Sequence, residues 1–102
     1  MFELLKEDIL NILEKTPKHQ YNESTCGYYD VVTKIEAYRD KGGSGKLLYS
    51  FLSDLYKEYE DKEWEARYET VASLMLALMP QFASSLIYFE DLYNYWDNPL
   101  KE

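Results

Sequence analysis

The sequence predicts an all-α fold, a single-domain bundle of four to five helices. Apolar side chains recur at three- and four-residue spacing through most of the 102 residues, as on the buried face of an amphipathic helix. The chain has only four glycines and three prolines, which is typical of few turns and long regular elements. No alternation of apolar and polar residues persists long enough to indicate a strand.

Five segments carry the helical spacing. The first has acidic residues in its opening turn and ends before Thr16–Pro17, because the residue before a proline avoids helical backbone angles. The glycine-rich run at 41–45 allows a sharp reversal, although it also resembles a flexible linker. The predicted helices span about 2–15, 27–40, 46–60, 64–79 and 81–96, with loops at 17–26 and 41–45, in a single domain over 1–102.

The apolar face changes direction within residues 46–79. The row that ends at Tyr59 and the row that begins at Trp64 differ in phase by roughly 130–140°, at about 100° per residue. A break or bend near residues 60–63 would let both rows face one core, and this is the interpretation we favour. One long bent helix over 46–79 is the alternative.

Residues 70–89 contain no charged residue, and a stretch of this length could span a bilayer. However, Pro80–Gln81 lies at its centre, and acidic rather than basic residues follow it, which is unlike a membrane anchor. Two buried helical segments that meet at Pro80 are therefore predicted. The single cysteine, Cys26, and an opening without a basic stretch favour a cytoplasmic location.

The sequence offers no familiar catalytic or metal-binding pattern. Gly45–Lys46 lacks the spacing and the preceding strand of a phosphate-binding loop. With one histidine (His19) and one cysteine, structural zinc and di-iron carboxylate sites are excluded. A nucleophile–base pair of Cys26 and His19 would lack an orienting third group. We therefore expect no enzyme activity, no metal and no cofactor.

The chain carries a formal net charge of −8, from 19 acidic and 11 basic residues. Nucleic acids and anionic membranes require clustered lysine and arginine, so neither is expected as a direct partner. A basic protein, in contrast, would be attracted over a long range. Solubility alone is the other interpretation of this charge.

One set of carboxylates is regularly spaced. On an unbroken helix, Asp54, Glu58, Asp61, Glu65 and Glu69 would fall within roughly 80° of one another and form a single ridge. The ridge depends on a helix that continues past residue 61, and an ordinary solvated face is the alternative. The predicted partner-binding residues are Asp54, Tyr56, Glu58, Tyr59, Asp61, Glu65 and Glu69.

The chain contains eleven tyrosines. Four of them fit the apolar rows of the predicted helices: Tyr38, Tyr59, Tyr68 and Tyr93. Five others fit those rows less well: Tyr21, Tyr29, Tyr49, Tyr88 and Tyr95. Because tyrosine is enriched at binding hot spots, some of these five are expected at an interface.

Together these features favour a non-enzymatic, acidic protein-binding module. We expect an inhibitor, antitoxin, immunity-type or phage anti-defence protein that blocks a basic, nucleic-acid-handling target. In size, charge and helical content the chain is similar in kind to small bacterial immunity proteins and phage-encoded inhibitors, but no motif carries this likeness and no functional residue follows from it. The alternative is a structural homodimer or a small helical subunit of a larger assembly, joined through the apolar faces of 47–59 and 82–96.

Overall fold

The fold was analysed in a computed structural model that describes residues 1–19, 27–79 and 87–92. These residues form four long helices: α1 (Phe2–Glu14), α2 (Tyr28–Asp40), α3 (Gly45–Asp61) and α4 (Glu65–Ala77). Within the described ranges no strand occurs, and a further helical stretch begins at Glu90. The predicted all-α fold is confirmed, and the first four helices begin and end within about two residues of the predicted positions.

The predicted fifth helix over 81–96 is wrong as a continuous element. Ile87–Phe89 is not helical, whereas Glu90–Leu92 is. Ile87 instead donates a backbone hydrogen bond of 2.9 Å to the carbonyl of Ala77, at the end of α4. The remaining parts of this prediction, 81–86 and 93–96, lie outside the described residues, as do residues 20–26 of the predicted loop. No helix found in the described ranges is long and apolar enough to cross a membrane.

All four helices contribute to one core. α1 packs against α2, α3 packs most extensively against α4, and contacts of α2 with α4 and of α1 with α3 join the two pairs. The apolar rows that predicted the helices are the rows that are buried. The core side chains include Ile9, Leu13, Val31, Ile35, Leu48, Leu52, Val71 and Leu74, together with Ile87, Phe89 and Leu92 from the segment after α4.

α3 ends in a left-handed turn. Glu63 has φ 59°, and the amides of Glu63 and Trp64 donate to the carbonyls of Glu60 and Tyr59, each at 3.0 Å. These two bonds, and the packing of the Trp64 ring on the Tyr59 ring at 5.8 Å, form a Schellman cap. The chain reverses here, so a single helix over 46–79 is excluded and the predicted break is confirmed.

α2 ends with the same cap, but with a glycine at the left-handed position. Gly42 has φ 88°, and the amides of Gly42 and Gly43 donate to the carbonyls of Arg39 and Tyr38 at 2.9 and 3.0 Å. A side chain on Gly43 would collide with the Tyr38 ring. The glycine-rich run is therefore an ordered turn rather than a linker, and helix α3 already begins at Gly45.

The start of α3 is capped by a carboxylate that is distant in the sequence. Asp91 accepts hydrogen bonds from the Ser44 hydroxyl at 2.7 Å and from the amides of Gly45 and Lys46 at 3.0 and 3.1 Å. Burial raises the pKa of Asp91, but these hydrogen bonds outweigh it and hold the pKa below its ordinary value. The anion that a helix start attracts is thus supplied by the protein itself.

Replacing this carboxylate should weaken the fold. We expect Asp91→Asn to lower the free energy of unfolding by about 1–2 kcal/mol near neutral pH, because an amide loses both the charge and one acceptor at the helix start. Because the pKa of Asp91 is lower in the folded than in the unfolded state, the ionised carboxylate stabilises the fold at pH values above the unfolded-state pKa. This contribution disappears as the pH falls through the folded-state pKa. Urea unfolding should therefore show the difference from wild type shrinking below about pH 4.

Asp54→Asn is the matched control for this measurement, because Asp54 is exposed in the middle of α3 and lies away from any helix end. Its effect should stay within about 0.5 kcal/mol at every pH. Equal losses in the two variants would contradict the capping role of Asp91.

The two Schellman caps allow a paired test of backbone strain. A left-handed conformation costs a residue with a side chain roughly 1–2 kcal/mol, while an added glycine costs about 0.4–1 kcal/mol through the unfolded chain. Glu63→Gly should therefore stabilise the fold by up to about 1 kcal/mol. Gly42→Ala should destabilise it by up to about 1 kcal/mol, since no atom lies within 4 Å of the new Cβ and the strain is only partly offset by the reduced freedom of the unfolded chain. Thermal unfolding measures both, and a destabilising Glu63→Gly would show that the Glu63 side chain itself supports the fold.

Candidate functional site

The reversal after α3 brings two tyrosines together on the surface. Tyr56 on α3 and Tyr68 on α4 are half-buried, and their ring centroids lie 5.8 Å apart at an interplanar angle of 74°. Such an edge-to-face arrangement is a favourable geometry for an aromatic pair. The pair therefore presents a fixed aromatic surface to the solvent.

Exposed carboxylates surround this pair. Glu60 follows Tyr56 by one helical turn, Glu65 and Glu69 flank Tyr68 on α4, and Glu63 lies in the turn between the helices. None of the four forms an ion pair with another residue of the described ranges. We call this surface the acidic corner, formed by Tyr56, Glu60, Glu63, Glu65, Tyr68 and Glu69.

The carboxylates of both helices act on both rings. The adjacent Glu60 carboxylate raises the pKa of Tyr56, first as a hydrogen-bond acceptor and then through its charge, and the charge of Glu69 adds to this effect. Burial raises the pKa of Tyr68, and the charges of Glu65, Glu69 and Glu60 raise it further. Glu60 and Glu69 influence each tyrosine although they lie on different helices, so negative charge converges on the aromatic pair.

Three basic side chains near the acidic corner lie against the Trp64 ring. The ammonium groups of Lys18 and Lys62 lie 4.5 and 4.6 Å from the Trp64 ring centre, and the guanidinium carbon of Arg67 lies 4.9 Å from it. These are distances of cation–π contacts, which favour a cation against the face of an indole ring. Two of the three basic residues within 54–69, Lys62 and Arg67, are thus positioned against Trp64.

Arg67 is also fixed by the end of α1. It is only 8% exposed, and its guanidinium donates to the carbonyls of Thr16 and Glu14 at 3.3 and 3.1 Å. A cation at a helix carboxyl end satisfies carbonyls that have no partner within the helix. The Arg67 charge is consequently committed to the interior and is not available to compensate the acidic corner.

The predicted single ridge of carboxylates is wrong in this fold. The ridge requires one unbroken helix, but Asp54, Glu58 and Asp61 lie on α3, whereas Glu65 and Glu69 lie on α4. At about 100° per residue, the first three residues lie roughly 100–160° around the α3 axis from Tyr56 and Glu60. The turn therefore divides the predicted set, and only Tyr56, Glu65 and Glu69 belong to the acidic corner.

Two of the three remaining predicted carboxylates lie near basic side chains. Glu58 forms an ion pair with Lys62 at 4.0 Å, and Asp54 lines a shallow surface pocket that Lys46 and Lys57 also line. An exposed ion pair contributes little to stability, but it removes unbalanced charge. This part of the surface is closer to the ordinary solvated face that the sequence allowed as the alternative.

Tyr59 is the second correction to the predicted site. It is only 5% exposed and belongs to the core, with its ring against Trp64, so it cannot contact a partner in this fold. Among the tyrosines expected outside the core, Tyr29 and Tyr88 are 65% and 44% exposed, and Tyr49 is half-buried. Tyr21, Tyr93 and Tyr95 lie outside the described residues.

Three residues of the corner, Glu60, Glu63 and Tyr68, are absent from the predicted site. Tyr56 and Glu60 are four residues apart, so the sequence already places them on one helix face. Tyr68 approaches Tyr56 only because the chain turns at residues 62–64. The only sign of this turn in the sequence is that the apolar row changes direction there. The acidic corner thus needs the hairpin geometry to be recognised.

The corner is not a cluster with metal-ligand geometry. In the described ranges, no group of three or more histidine, cysteine, aspartate or glutamate side chains is close enough to hold a metal ion. His19 is exposed, and Cys26 lies outside the described residues. What the arrangement offers chemically is a rigid aromatic surface inside a ring of hydrogen-bond acceptors.

Comparison with family profiles, curated proteins and solved structures found no match to this chain.

The effect of Glu60 on the pKa of both tyrosines gives a spectroscopic test of this geometry. We expect Glu60→Gln to lower the pKa of the Tyr56 phenol and, by a smaller amount, that of Tyr68, because one carboxylate raises both. A pH titration of the tyrosine ring signals by NMR measures both values. Glu58→Gln is the matched control, and an equal shift of Tyr56 in that variant would contradict the proposed arrangement.

Proposed function

We propose that this chain is a non-enzymatic protein-binding module, and that the acidic corner binds a basic partner. The observation that carries the proposal is a half-buried aromatic pair at the surface, surrounded by four carboxylates that have no ion-pair partner in the described part of the chain. Tyrosine provides rigid contact area at interfaces, and unpaired carboxylates provide acceptors for lysine and arginine.

The distribution of charge supports the same proposal. Residues 54–69 hold seven acidic and three basic residues, which is half of the net charge of −8 in less than one sixth of the chain. Since Lys62 and Arg67 lie against Trp64, the corner faces solvent with its negative charge largely uncompensated. Such a field accelerates the encounter with a basic protein and does so more strongly at low ionic strength.

The class of partner follows from this chemistry. A protein that handles nucleic acid recognises phosphate through lysine and arginine and often stacks bases on aromatic or guanidinium groups. The carboxylates of the corner would occupy the positions of phosphates, and the Tyr56 and Tyr68 rings those of bases. We therefore propose an inhibitor of the antitoxin, immunity or anti-defence type that acts in the cytoplasm on a basic, nucleic-acid-handling target.

A permanent homodimer or a subunit role through the face of residues 47–59 has less support. The main apolar row of α3 (Leu48, Leu52, Leu55 and Tyr59) is buried within the chain and is not available to a second protein. Leu47, at the edge of that face, is 52% exposed. A single exposed leucine is common on monomeric proteins and needs no partner. The corresponding face over 82–96 lies mostly outside the described residues.

Three charge-reversal variants distinguish binding through the acidic corner from binding through the predicted ridge and from an effect of net charge alone. The corner variant replaces Glu60, Glu65 and Glu69 with lysine. The ridge variant replaces Asp54, Glu58 and Asp61 with lysine, and the remote variant replaces Glu7, Asp30 and Glu36 with lysine. The three variants therefore change the net charge by the same amount. Partners captured from the native host by the wild-type chain and by the remote variant, but not by the corner variant, identify the target.

With that target, the corner variant should associate at least about tenfold more slowly at low ionic strength and should lose most of the salt dependence. The remote variant should change the rate by only a few-fold. Addition of the wild-type chain, but not of the corner variant, should block nucleic-acid binding or cleavage by the target. A target that is not basic, or one that the corner variant still binds and inhibits, would overturn the proposal.

A further inference from the structure

A second surface of opposite polarity lies between α1 and α2. The start of α1 is next to the end of α2, where the rings of Phe2 and Tyr38 are 6.1 Å apart. Beside this contact a groove runs between the helices, with the buried Leu5 and Tyr38 among its lining residues. We call it the α1–α2 groove.

The rim of the groove is apolar on one side and basic on the other. α1 contributes Met1 and Leu4, which are 58% and 68% exposed, and Asp8 at the far end. α2 contributes Lys34 and Lys41, both exposed. Neither lysine forms an ion pair within the described ranges. In a chain with a net charge of −8, an apolar groove with two unpaired lysines and one carboxylate is a local reversal of sign.

The spacing of these residues indicates which kind of ligand the α1–α2 groove can bind. Lys34 and Lys41 are seven residues apart on one helix, so they lie about 10 Å apart along its axis and on the same face. Met1, Leu4 and Asp8 cover the same two turns on α1. A groove between two packed helices accepts a third amphipathic helix, whose apolar side chains three, four and seven residues apart enter it.

We propose that the α1–α2 groove binds an acidic amphipathic helix of a partner protein. The apolar row of that helix contacts Leu4 and the floor formed by Leu5 and Tyr38. Two of its carboxylates, seven residues apart, face Lys34 and Lys41. This surface is separate from the acidic corner in residues and opposite in sign, so the chain would join a basic and an acidic protein.

The test uses a designed helical peptide of about four turns, with leucines at positions i, i+4 and i+7 and glutamates on both sides of that row. Titration into the isotope-labelled full chain, followed by NMR, should shift amide signals around Leu4, Ala37 and Lys41. A second peptide with lysines in place of the glutamates should bind at least about tenfold more weakly, since like charges would then face each other.

Two matched variants assign the binding to the groove. Lys34→Glu combined with Lys41→Glu should weaken binding of the acidic peptide at least about tenfold, whereas Lys15→Glu combined with Lys57→Glu, with the same charge change at exposed sites elsewhere, should not. Leu4→Ser should weaken it as well. All these side chains are exposed, so the fold should be retained, and the dispersion of the amide signals verifies this.

Several results would overturn the proposal. Equal binding of the two peptides, shifts confined to other surfaces, or unchanged affinity after reversal of Lys34 and Lys41 would each exclude an acidic helix as the occupant. Concentration-dependent shifts of the same amides without peptide would assign the groove to a second copy of the chain. Binding to anionic vesicles through Leu4 and these lysines, with no peptide binding, would assign it to a membrane surface.

Discussion

At the end of α3 the chain reverses through Glu63 in a left-handed conformation, and two backbone hydrogen bonds close the turn. The positions of all charged residues nearby depend on this reversal. It places α4 against α3, so that Tyr68 reaches Tyr56 and carboxylates from both helices converge on the pair. It also places the Trp64 ring within cation–π distance of Lys18, Lys62 and Arg67. Without the turn, the same residues would form one long helix with alternating charges along it.

The separation of charge at this end of the molecule has a physical cause. Arg67 is drawn inward because the carbonyls of Glu14 and Thr16 at the end of α1 have no partners within that helix. Lys18 and Lys62 lie on Trp64, where the face of the indole ring offers a site for a cation. Arg67 thus joins α4 to the end of α1, and the four glutamates of the acidic corner have no ion-pair partner in the described ranges. The acidic corner therefore depends on the contacts between α4 and the end of α1 as well as on the turn after α3.

The sequence predicts the four long helices well because each has a row of apolar residues that a shared core must bury. It also predicts the break before Trp64, since the two rows differ in phase. It does not predict the cap that Asp91 supplies to α3, because that bond joins residues more than forty positions apart and nothing local identifies the pair. The acidic corner could be predicted only in part. Tyr56, Glu65 and Glu69 follow from composition and spacing, and helical spacing places Glu60 on the face of Tyr56. Glu63 and Tyr68 join them only through the hairpin, and Tyr59 is buried in the core.

The two Schellman caps of this chain differ in one residue, and the difference is informative. At the end of α2 the left-handed position is Gly42, which adopts that conformation without strain. At the end of α3 the same position is Glu63, which carries a strain of roughly 1–2 kcal/mol. Strain that local rules would remove is often retained at functional sites. Glu63 lies beside Tyr68 and adds its charge to the carboxylates around that ring. A glycine at this position would relieve the backbone strain, but it would also remove one of the four charges of the acidic corner.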